Sequence, residues 1–247
     1  MKQTALATEI TTIFLSLRDD TQAAHLMGFF KTGRGQYGEG DRFLGIKVPV
    51  TRSQIKQYRE KVTLADCDAL LDSEWHEIRL AALLLMVSLA KQFAKQEDQQ
   101  NIQKLVALYD KRLDRANNWD LIDLSVHDIM GAYWQCTSAN SAERRRFLTA
   151  WETSGNLWRE RAAMVSVNAL QRMGSLDETF WLAEHFINHR HDLMHKAVGW
   201  MLREAGKRDM EALRCFLATF HKKLPRTALR YAIEHMDQEE RKKWMAK

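Results

Sequence analysis

The sequence predicts an all-α protein, and three observations predict it. Only two prolines occur, Pro49 and Pro225, so almost nothing interrupts a helix. Six of the eleven glycines crowd between Gly28 and Gly45, leaving the rest of the chain nearly free of turn punctuation. Apolar residues recur at helical spacing: Ile102, Leu105, Val106, Tyr109 and Leu113 form one stripe, and Met210, Leu213, Leu217 and Phe220 form another. No segment sustains the period-two alternation of a strand.

In chain order, the opening MKQTALATEITTIFLSLRDD breaks its apolar character with Glu9 and Arg18, which speaks against a signal peptide. No apolar run reaches the length of a membrane span, so a cytoplasmic protein is expected. KTGRGQYGEGDRFLGIKVP has the glycine content of a phosphate loop, but it lacks GK[ST] and follows no strand. It reads as a flexible loop over residues 32–45, carrying Arg34 and Arg42 with Lys31 just before it, and ending at a Pro49 that opens the next helix near Thr51. Beyond it, HEIRLAALLLM, LWRERAAMVSV, MHKAVGWMLRE and PRTALRYAIEH each set a polar or basic start before a small-residue, apolar helix. With WDLIDLSV filling the gap between the first two, their spacing falls in the range of about 30 to 45 residues expected of HEAT-type repeats. Such repeats stack into a curved solenoid with a concave binding face, expected here as one domain over residues 1–247.

A chain of 247 residues with 45% apolar content can bury a substantial core. Cys67, Cys136 and Cys215 are odd in number and far apart, which suits buried thiols rather than a disulfide framework or a metal knuckle. There is no HExxH, and His185, His189, His191 and His195 read as helix-surface residues, so no metal is expected. The net charge of +5 points toward a polyanionic partner, with clusters at Arg144–Arg146, at Lys222, Lys223, Arg226 and Arg230, and at Arg241–Lys243.

The most specific local feature is NNWDLIDLSVHD. Trp119 and Asp123 stand four residues apart and share a helix face, setting a carboxylate beside a large π-surface. Asn117 is the expected N-cap, with Asp120 at the third helical position. Such a pair suits a cationic, ring-shaped species, although a core tryptophan beside a surface acid is the commoner origin of this spacing.

Taken together, FFKTGRGQYGEGDRFLGIKVP, NNWDLIDLSVHDI, LWRERAAMVS and HKAVGWMLRE resemble the DNA alkylation repair proteins of the AlkD type, the HEAT-like-repeat DNA glycosylases. The ordered set W-D-x-x-D, W-x-x-R and K-A-x-G-W-x-L-R-E carries the resemblance, which runs from Phe29 to the LPRTALRYAIEHM segment. It implies a monofunctional, monomeric glycosylase without cofactor that excises cationic N3- or N7-alkylated purines from duplex DNA. A nonenzymatic HEAT-repeat nucleic-acid binder is the competing expectation. The resemblance places the catalytic carboxylate on Asp123, the walls of the lesion cleft on Trp119 and Trp200, and a phosphate contact on Arg161. It also sets Phe29 where relatives carry a DNA-contacting aromatic residue. Lys196 shares a face with Trp200, and Arg226 shares one with Arg230, so these three are candidate secondary phosphate contacts. Judged singly, Trp200 also fits a core position, Arg161 also fits a pair with Glu160, and Asp120 competes with Asp123 as the functional acid. No membrane is expected as a partner, and DNA binding would associate a bacterial-type protein of this kind with the nucleoid.

Overall fold

A computed structural model of the protein describes residues 4–246. These residues form an all-α helical-repeat fold whose only strand-like feature, among the described residues, is an isolated bridge between Arg42 and Trp75. The chain divides into two compact units, with the boundary between Thr137 and Ser138.

The first unit holds α1 (Ala5–Ser16), α2 (Asp20–Phe29), α3 (Val48–Ile55), α4 (Leu64–Leu71), α5 (His76–Lys95), α6 (Gln99–Lys111), α7 (Trp119–Asp123) and α8 (Val126–Thr137). Local chemistry starts these helices where it should. Asp19 accepts from the Gln22 N–H at 2.9 Å, Asp98 accepts from Asn101, and Thr63 with Asp66 makes a reciprocal capping box. Pro49 sits in the first turn of α3, where its missing N–H is no loss. The centre of the unit is α5, buried on all sides from Ile78 to Val87 and packed by α3, α4, α6 and α8. An all-round apolar helix of this kind is stable only inside a core.

The second unit holds α9 (Ser141–Glu152), α10 (Leu157–Arg172), α11 (Asp177–His185), α12 (Asp192–Arg208), α13 (Met210–Phe220), α14 (Arg226–Ala232) and α15 (Gln238–Met245). Its buried centre is α10, with every residue from Arg161 to Gln171 out of solvent, flanked by α9, α11 and α12. Gly199 explains how tightly α12 packs on α14: a Cβ there would stand 2.5 Å from the Ala228 carbonyl oxygen and 2.6 Å from the Tyr231 Cβ.

Three expectations need correction. The glycine-rich loop is only half flexible in character: Gly33–Gln36 are exposed, but Asp41 and Phe43–Ile46 are buried. The Glu77 carboxylate draws that second half in, accepting from the N–H groups of Leu44, Gly45 and Ile46 at 2.8, 2.9 and 3.1 Å. Gly45 takes φ +86° there, a conformation that side chains disfavour. Of the cysteines only Cys67 is buried; Cys215 is exposed, because Leu213, Phe216 and Leu217 define the inner face of α13 and Cys215 lies off it. Of the four histidines expected on helix surfaces, His185 is exposed on α11 and His195 half-buried on α12, but His189 and His191 lie in the turn before α12. His185 pairs with Glu152 at 2.6 Å, His189 Nε2 with Glu160 at 2.9 Å, and His195 Nε2 donates to the His189 carbonyl at 2.5 Å. His191 caps α12, its Nδ1 accepting from the Leu193 N–H, and burial followed by the nearby His189 pushes its pKa down.

Candidate functional site

In the first unit, α7 begins one residue later than its sequence suggests. Asn118 is the N-cap, its Oδ1 accepting from the Trp119 N–H at 2.9 Å, while Asn117 is claimed by Arg79, whose Nη2 donates to it at 3.1 Å. Leu121 and Ile122 turn into the core, and the half-buried Trp119 and Asp123 share the opposite, accessible side. Asp123 also lies close enough to the buried Tyr109 that, after burial itself, its charge helps hold that phenol protonated.

The Trp119 ring rests on an aromatic pile. It stacks on Phe30 with centroids 5.3 Å apart, Phe30 stacks on Phe43 at 5.0 Å, and Phe43 stacks on His76 at 4.3 Å. Phe29, 59% exposed, meets Trp119 edge-on at 6.1 Å. Phe29 and Trp119 therefore form one surface-facing aromatic corner beside Asp123.

Asp120 has a different environment. It is buried, with Oδ2 2.9 Å from His76 Nε2, so it faces the interior and not the accessible side of α7. On its other edge His76 Nδ1 lies 2.7 Å from Asp41, and Arg79 Nη2 reaches the second Asp41 oxygen at 2.5 Å. Burial opposes ionisation of Asp41, but His76 and Arg79 outweigh it and hold the carboxyl below its usual range. Of this group the sequence singled out only Asp120, as a competing functional acid; Asp41, His76 and Arg79 were missed, along with Phe30 and Phe43. Asp41 and Asp120 lie 35 and 44 residues from His76, a separation that no local period reveals.

The second unit carries the remaining candidates. Trp200 and Lys196 are half-buried one turn apart on α12, and Lys196 pairs with Asp192 at 2.8 Å. Arg226 is exposed and donates to the Met245 carbonyl at 2.9 Å. Arg230, one turn further along α14, is exposed and makes no ion pair among the described residues. Arg161 is unlike these. Only 4% exposed, it gives an Nη1–H to the Leu193 carbonyl at 2.6 Å, which ties α10 to the start of α12 and sits poorly with direct contact to a phosphate. Among the described residues no group of His, Cys, Asp and Glu is arranged to hold a metal ion. Among the same described residues, no helix is long and apolar enough to cross a membrane.

The fold places the protein among all-α helical-repeat proteins. A solved structure described as a predicted DNA alkylation repair enzyme from Enterococcus faecalis shares that fold, with a TM-score of 0.70 at 17% identity over 90% of this chain and 97% of that one. The profile of the DNA alkylation repair enzyme family matches residues 10–236, and the chain belongs to that family. No curated protein matches it. Membership makes the protein an enzyme of alkylated-DNA repair, with DNA as its partner.

Proposed function

We propose that the protein is a monofunctional DNA glycosylase that removes cationic N3- or N7-alkylated purines from duplex DNA. The observation that carries this reading is the pairing of the Asp123 carboxylate with the Trp119 indole on the accessible side of α7. Alkylation at N7 or N3 leaves the purine positively charged, so the base departs readily once the C1′–N bond stretches. The bond's electron pair returns to the base and neutralises it. The sugar is left with oxocarbenium character, and water adds at C1′, losing a proton, to give the abasic site and the free base.

What the enzyme must supply is stabilisation of a positive charge that develops only in the transition state. Asp123 provides a fixed negative charge for it and orients the attacking water, as carboxylates do in sugar hydrolysis. The π-face of Trp119 adds a cation–π contribution of about 0.5 to 2 kcal/mol. Trp200 and Phe29 line DNA in this reading, and Lys196, Arg226 and Arg230 hold phosphates. Arg161 supports the α12 segment that bears Trp200 and Lys196 rather than gripping DNA itself, consistent with its burial. The chemistry needs no cofactor.

Incubation with methylated duplex DNA, followed by mass spectrometry of released bases, should yield 7-methylguanine or 3-methyladenine. Asp123→Asn should lower turnover roughly 10²-fold or more with little change in duplex affinity, since the lost interaction belongs to the transition state. Unchanged turnover in that variant removes Asp123 from the mechanism. Salt-sensitive duplex binding without any base release identifies a nonenzymatic binder instead.

A further inference from the structure

With five residues, α7 is too short to hold itself as a helix, so its surroundings must fix where Trp119 and Asp123 sit. Two connections reach it from behind, and both end on one imidazole. The first is the aromatic pile from Trp119 through Phe30 and Phe43 to the ring face of His76. The second is ionic, from His76 Nε2 to Asp120, the residue next to Trp119.

A neutral imidazole has one N–H and satisfies one acceptor. His76 has a carboxyl oxygen at each nitrogen, 2.7 Å away on Asp41 and 2.9 Å away on Asp120, an arrangement that two ionised carboxylates satisfy only when both nitrogens carry a proton. The charges then balance: His76 and Arg79 from α5 face Asp41 from the loop and Asp120 from α7, with the neutral Asn118 amide donating to Asp41 at 3.4 Å.

We propose that His76 is a positioning residue, held doubly protonated between Asp41 and Asp120 so that α7 presents Trp119 and Asp123 in one fixed register. This deepens the glycosylase reading and rests on it for its catalytic consequence. Removing the proton leaves His76 with one N–H for two buried carboxylates, of which Asp41 keeps the Arg79 guanidinium and the Asn118 amide. Asp120, whose Oδ1 is already buried without a hydrogen-bond partner, is the one released. Burial alone favours the neutral ring, but Asp120 and Asp41 outweigh it and raise the pKa of His76 to about 9, so the locked state spans neutral pH.

The test combines kinetics with two spectroscopic signals on the intact protein. In the unaltered enzyme, kcat for base release should fall as pH rises through about 9. Asp120→Asn removes one of the two carboxylates and should move that break down by about one pH unit, with duplex affinity held within about twofold. His76→Gln, whose amide does not titrate and carries donors at only one of its two ends, should lower kcat about tenfold and abolish the break. Nitrogen-15 NMR should find both His76 ring nitrogens protonated near neutral pH. The resonance of fluorotryptophan at position 119, assigned through Trp119→Phe, should shift at the His76 midpoint. A neutral His76 at that pH, or a Trp119 resonance indifferent to its titration, overturns the proposal. If His76 and Trp119 titrate together while no base is released, the bracing of α7 stands and the glycosylase reading fails.

Discussion

Arg161 and Arg230 carry the same side chain to opposite ends. The guanidinium of Arg161 is buried against the Leu193 carbonyl, so Arg161→Ala should destabilise the fold by about 2 to 4 kcal/mol, read from the denaturation midpoint. Arg230 is exposed on α14, and Arg230→Ala should leave stability within about 0.5 kcal/mol. If it holds a phosphate, its loss should also make the slope of log affinity against log salt shallower by about 0.9. An unchanged slope would remove Arg230 from the DNA contact set. The Trp119 and Asp123 pair was legible from sequence because a spacing of four is a local property of a helix. His76 was not, since what makes it important is the convergence of Asp41 and Asp120 from distant parts of the chain. The burial of Arg161 was hidden for a related reason: WRER looks the same whether its last arginine meets solvent or a neighbouring helix.

At the scale of elements, two contacts explain why short sequence motifs matter. Alanine for glycine inside a helix ordinarily stabilises it by about 1 kcal/mol. At Gly199 the sign should reverse, because the new Cβ would press on the main chain of α14, and main chain yields less readily than a side-chain tip. Gly199→Ala should cost about 1 to 3 kcal/mol in thermal or urea unfolding, and a neutral result would mean that α14 shifts freely. Glu77→Gln should weaken the hold on Leu44, Gly45 and Ile46, since an amide has one acceptor oxygen where the carboxylate has two. A loss of about 1.5 to 3 kcal/mol is expected, with faster proteolysis at residues 41–46. The helical stripes were readable in advance: Ile102, Leu105, Val106 and Tyr109 are all buried on α6, as their period required. The inward fold of the loop was not, because its glycines signal turns but carry no information about the single glutamate that gathers its amides.

For the molecule as a whole, stability should peak in a window set by groups on either side. His76 is raised from 6.5 to about 9, so its contribution is complete below 6.5 and disappears as pH rises through about 9. Burial works against ionisation of Asp41 and Glu178, but hydrogen bonds and neighbouring cations hold both below their usual range. Their contributions are therefore complete above the ordinary carboxylate values of 3.8 and 4.5 and vanish in stronger acid. Melting temperature should fall below about 4.5 as Asp41 and Glu178 gain protons, and again between 6.5 and about 9 as His76 loses its own, the second decline being smaller in His76→Gln. A profile still rising above pH 9 would contradict the charge assigned to His76.

The division of the glycine-rich loop into an exposed tip and a gripped base has a practical result. Trypsin should find Arg34 at that tip, yet the pieces on either side are fastened separately, Phe30 by its ring neighbours and Asp41 through Ile46 by α5. A nicked protein should therefore travel as one particle through gel filtration and separate only in denaturant, which makes the tip a ready place to open the chain for new termini or to insert a reporter.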